Sequence, residues 1–158
     1  MRTRYIMDSY ALLALVPAFA DPVTSVPKLN CLVRDWELSF PDAVLKDCKE
    51  NCEDTGLLVW LDTVDSLRYD QGRLDQIYTE EVLEICEDLW DIDDLSEDQA
   101  PVRSAAMGLQ FTDIHGPSSV VMVTDDEREH PVRMNLRDAC SLLGIKTMNS
   151  SEFMMQLV

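Results

Sequence analysis

With 158 residues, 46% of them hydrophobic, and a formal charge of -17, the chain is long enough for one domain with its own core and too apolar for disorder. Mean hydropathy is -0.11, and no apolar run reaches a membrane-spanning length. Five cysteines, an odd number with no Cys-x-x-Cys among them, signal neither a disulfide framework nor a zinc knuckle.

The charge is uneven. Residues 50–98 hold 17 acids and two bases, Arg68 and Arg73, for a net of -15, against -2 for the rest. Such a belt reads as a solvated helical face or as a dock for a basic partner. Beyond it, Arg128, His130, Arg133 and Arg137 cluster late in the chain, where a phosphate backbone could approach. A surface patch of ordinary charge would look the same.

Two readings are open for the start, MRTRYIMDSYALLALVPAFADP. One is a secretory leader, with Arg2 and Arg4 ahead of an apolar stretch and Ala18-Phe19-Ala20 as cleavage site. The other is a strand over Arg4 to Met7, Asp8 at its carboxyl end, and a helix from Ser9 to Val16.

Ser25 to Val33 then reads as a short helix, and Trp36 to Phe40 as a short strand. A helix opening at Pro41 runs through Cys48, with Asp47 one turn beyond Val44 and so toward the apolar side. On it, Cys48 and, four on, Cys52 read as small hydrophobes. Thr55 to Val64 reads as a buried helix with Trp60 in the core, and Leu67 to Leu89 as one or two surface helices. The three tryptophans are scattered, which suits packing better than base stacking.

The next helix starts near Ser96 and runs to Phe111. Ser96 with Gln99 fits a capping box; Asp98 as the cap would instead place Pro101 in the first turn. A loop, Thr112 to Ser119, leads to the apolar run Val120 to Val123, which reads as a buried parallel strand ending in Thr124-Asp125-Asp126. An amphipathic helix over Val132 to Leu143, Gly144 at its end, and a strand over Ile145 to Met148 complete a crossover unit. In such units ligands are met at the carboxyl ends of strands, so Asp8, Asp125 and Asp126 are the acids to watch.

Four local patterns, in this order, resemble the PIN-domain family of metal-dependent nucleases: Tyr5-Ile6-Met7-Asp8-Ser9 with the following apolar run, Phe40-Pro41-Asp42-Ala43-Val44-Leu45-Lys46-Asp47, Leu95-Ser96-Glu97-Asp98 ahead of an alanine-rich helix, and Val121-Met122-Val123-Thr124-Asp125-Asp126 leading to Leu143-Gly144-Ile145. The first and last are the more specific. The resemblance covers nearly the whole chain and implies one α/β domain over 1–158, a three-layer fold with a central parallel sheet of four or five strands and helices on both faces. It also implies an acid cluster holding one or two Mg2+ or Mn2+ ions. By position the catalytic set falls on Asp8, Asp47, Asp98 and Asp126. Asp8, Asp98 and Asp126 are then the metal ligands with Asp125 as an extra one, and Ser9 and Thr124 line the site. The sequence departs from the family at Asp47, often glutamate there, at Tyr10, commonly a smaller polar residue, and in the length of the 112–119 loop.

Four carboxylates brought together repel unless a cation neutralises them. Mg2+ takes a few carboxylates and keeps several waters, one of which can hydrolyse a phosphodiester. Neither His115 nor His130 has zinc or nucleophile-base spacing, and no Gly-rich phosphate loop occurs. The resemblance thus implies a cytoplasmic ribonuclease that leaves 5' phosphate and 3' hydroxyl ends, with Arg128 and Arg133 expected on the substrate. It could be the toxin of a toxin-antitoxin pair held by a basic antitoxin-like partner, or form a homodimer. The alternative is a PIN-like domain without catalysis that uses its acidic belt, about 50–98, for protein contacts.

Overall fold

A computed structural model describes residues 2–20, 22–68 and 74–157. Four strands, β1 (Arg4–Met7), β2 (Leu38–Ser39), β3 (Val120–Val123) and β4 (Lys146–Met148), form one sheet in the order β2-β1-β3-β4. Every pairing is parallel, and Tyr5 lies opposite both Leu38 and Val121. The strand reading of the first residues thus describes the structure: residues 4–7 sit inside the sheet.

Helices cover both faces, because successive side chains on an interior strand point to opposite sides and each side must be buried. Met7 and Val123 face one core with residues of α1 (Ser9–Leu13), α2 (Pro22–Arg34), α3 (Asp42–Asn51), α4 (Thr55–Asp65) and α8 (Ser150–Met155). Ile6, Val120 and Met122 face the other, with α5 (Gln76–Ile85), α6 (Ala100–His115) and α7 (Leu136–Leu143). Trp60 is in the first core, as its apolar run suggests, and its indole N–H donates to Asn30 Oδ1 at 2.8 Å.

Several boundaries differ from the sequence expectation, each for a local reason. The helix expected from Val132 begins only at Leu136, because Asn135 accepts the Asp138 N–H and fixes the start there. Its end is as read: Gly144 takes φ 75°, where a side chain would be strained. The expected 112–119 loop is instead the last turn of α6, Gly116 at φ 91°, and a 3-10 turn over Pro117–Ser119. Helix α2 starts earlier than Ser25 and carries Pro27 within it. The helix expected over Ser9 to Val16 is α1 followed by a 3-10 turn over Val16–Phe19. In the 67–89 stretch the described residues form α5 and a 3-10 turn, Glu87–Leu89, with Ile77 and Ile85 on the outer side. Arg73 lies outside the described residues.

Between α4 and α3 sits a buried cation. Arg68 donates to Phe40 O at 2.6 Å and reaches Asp42 and Asp65, each at 3.0 Å, with its guanidinium 4.5 Å above the Phe40 ring. One side chain therefore ties the end of β2 to both helices. No helix among the described residues is long and apolar enough to cross a membrane.

Candidate functional site

The chain leaves β1 over one face to reach β2, and leaves β3 over the opposite face to reach β4. Where two neighbouring strands part in this way, their carboxyl ends open a crevice. Asp8 follows β1 and Asp126 follows β3, and both line a cleft of about 330 Å3.

Their placement is fixed atom by atom. Asp8 Oδ1 accepts the Ala11 N–H at 2.8 Å and so caps α1, while Oδ2 accepts the Thr124 hydroxyl proton. Thr124 Oγ1 in turn accepts the Asp126 N–H at 3.0 Å. Asp126 Oδ2 accepts the Leu136 N–H at 2.9 Å, at the first turn of α7. The two acids are thus joined through one hydroxyl, that of Thr124, which lies 116 residues beyond Asp8 in the sequence. Ser9, next to Asp8 on the cleft wall, has a buried hydroxyl with no hydrogen-bond partner.

Asp8 is 3% exposed. Burial pushes its pKa up to about 7, and the charges of Asp126 and Asp125 add to the rise against the bonds from Thr124 and Ala11.

The other expected acids divide. Asp47 lines the cleft from α3, its Oδ1 held by Asn51 Nδ2 at 2.9 Å. Asp98 does not. The first residue of α6 is Ala100 and its cap position is Gln99, so neither Ser96 nor Asp98 is the cap. Asp98 is exposed and bonded to Arg103. At the start of α6 the cleft is lined by Pro101 and by the preceding Gln99, whose amide bridges Asp91 N and Asp91 O, each at 2.8 Å. Asp125 also faces away: both its oxygens accept from Ser150, at 2.8 and 2.7 Å, at the start of α8.

Asp91 and Asp94 line the cleft instead, from an irregular segment that sequence reading leaves unassigned. No local pattern in the sequence marks them. Arg128 and Arg133 line it as well. The Arg128 guanidinium stacks 4.8 Å above the Tyr10 ring, bonds Tyr10 Oη, and lies 3.8 Å from Asp126 Oδ1. Arg133 pairs with Asp91 at 2.5 Å. Arg137 pairs with Glu127, and His130 Nδ1 accepts the Val132 and Arg133 N–H groups.

Mg2+ is commonly held by one or two carboxylates and otherwise by water and substrate phosphate. The carboxylates that could take part in holding such an ion are Asp8 and Asp126, which line one cleft. A cage of three or four acids is a different matter: among the described residues no three such side chains converge closely enough to hold an ion. The chain matches no known protein family, no curated protein and no solved structure.

Proposed function

We propose that the chain is a Mg2+ or Mn2+ dependent ribonuclease whose ion-holding residues are reduced to Asp8 and Asp126. The observation that carries this reading is the link from Asp8 through Thr124 to Asp126 at the crevice between β1 and β3. The PIN-like arrangement expected from the sequence supports it. The ion would supply Lewis-acid charge at the scissile phosphodiester.

The chain's own residues have separate tasks. Thr124 holds Asp8 in one orientation and excludes the Asp126 N–H from water. Asp47, which lines the same cleft, would orient a water. Arg128, with its side chain 72% exposed, offers a guanidinium to a phosphate, and Arg133 does so only on leaving Asp91.

Purified protein incubated with labelled single-stranded RNA and Mn2+ tests the proposal. Cleavage that EDTA stops and that both Asp8→Asn and Asp126→Asn abolish, with the fold intact by circular dichroism, is the expected result. Cleavage unchanged in both variants would end the assignment.

A second reading is favoured by Gln99, a neutral amide engaged with backbone at the α6 end of the cleft. On it the domain has no catalysis and works through protein contacts. Mn2+ titration separates the two: saturable binding weakened by Asp8→Asn belongs to the first reading alone.

A further inference from the structure

Beside the cleft lies a second depression of about 540 Å3, floored by Leu83, Trp90, Ile92 and Val132. Glu87, Asp88 and Asp93 stand around it. Leu83 and Trp90 are half-buried, while Ile92 is 84% exposed and Val132 73%, and Leu95 nearby in sequence is 97% exposed. Isolated apolar side chains on a surface need no explanation, but several gathered in one groove with a polar rim mark a contact site.

The sign of the rim narrows the occupant. Residues 50–98, which supply most of this groove, carry a net charge of -15. That field repels nucleic acid and an anionic lipid surface. It also repels a second copy of a chain that itself carries -17. A polypeptide with an apolar face to fill the floor and lysine or arginine to meet the rim is attracted on both counts.

We infer that this groove docks a partner protein through a basic amphipathic segment. The inference goes beyond cleavage in the neighbouring cleft and holds on either reading of it. Groove and cleft nevertheless share a wall, since Asp91, His130 and Arg133 line both. A segment in the groove rests against the Arg133–Asp91 pair, so occupation of one space bears on the other.

The test uses a synthetic amphipathic peptide of leucine and lysine at helical spacing, and its leucine-glutamate counterpart, titrated into the whole protein by calorimetry. One-to-one binding of the lysine peptide is expected, with none of the glutamate peptide. The double change Ile92→Ser with Val132→Ser should weaken binding by about tenfold or more, because it removes two apolar contacts without altering charge. Glu87→Gln with Asp93→Asn should weaken it independently. Val23→Ser, at an equally exposed position on the opposite layer, should leave it unchanged. Equal binding by the wild type and the Ile92/Val132 variant would overturn the inference, since the belt would then attract any polycation. Binding of both peptides, or self-association that the serine changes abolish, would also overturn it. The four substituted side chains, Glu87, Ile92, Asp93 and Val132, are exposed, and thermal unfolding of each variant verifies the fold. Failure of RNA cleavage leaves this result untouched, and a cleaving protein whose groove variants bind the peptide normally would sink the docking inference alone.

Discussion

Thr124 donates its hydroxyl proton to Asp8 while the same oxygen accepts the Asp126 N–H, so one side chain orients both acids of the cleft. Thr124→Val keeps the shape and removes the hydroxyl. It should cost about 1–3 kcal/mol, the usual penalty for leaving buried polar groups unpaired. Chemical denaturation measures it, and Thr124→Ser should recover most of the loss.

Asp8 gives stability a pH dependence of definite sign. Its carboxyl has a folded pKa of about 7 against an ordinary 3.8, so between those values the folded state holds a proton that the unfolded state has released. Stability therefore falls as pH rises from about 4 to 7, with a slope approaching 1.4 kcal/mol per pH unit, and flattens above 7. Asp8→Asn should lack that fall, so the difference between wild type and variant should carry it. Saturating Mn2+ should flatten the wild-type curve, because a bound cation favours the ionised carboxylate.

Arg128 lies over Tyr10 and near Asp126, standing as a counter-charge to the acid pair. Arg128→Ala should tighten Mn2+ binding severalfold by calorimetry and weaken binding of RNA. Looser Mn2+ binding in this variant would show that the guanidinium does not compete with the ion.

The position of Asp98 separates expectation from placement. Outside the cleft and bonded to Arg103, it should tolerate Asp98→Asn with metal-dependent cleavage within about twofold of wild type. The same change at Asp126 should abolish cleavage. Equal losses at both positions would return Asp98 to the site.

Arg68 is the structural counterpart of these tests. It is 5% exposed and donates to Phe40 O, so Arg68→Ala strands a buried carbonyl and removes packing against the ring. Its acid partners are largely exposed, which limits the ionic share. A loss of about 2–4 kcal/mol is expected in urea unfolding.

The sheet was legible because its signals are local. An apolar run closed by an acid defines β1 and β3 without reference to any other part of the chain, and Asp8 and Asp126 follow from those ends. The start of α6 was not, since Ser96 and Asp98 both bear side chains able to cap and neither does. Tertiary bonds from Gln99 to Asp91 decide the start instead. That one-residue shift turns Asp98 outward. Asp125 was misplaced for a similar reason: of two adjacent acids, alternate pointing sends one to the cleft and the other to Ser150. Which one turns inward depends on where α8 begins, far along the chain.

Strand β1 pairs along its full length with β3, Arg4 opposite Val120. During synthesis the earliest strand must therefore wait for one made more than a hundred residues later. Contacts of such long separation form slowly, and the waiting segment, apolar on both sides, is what a chaperone would have to shelter. Any product that terminates ahead of β3 carries Asp8 without Asp126, so the crevice between the two strands comes into being only once β3 has been made.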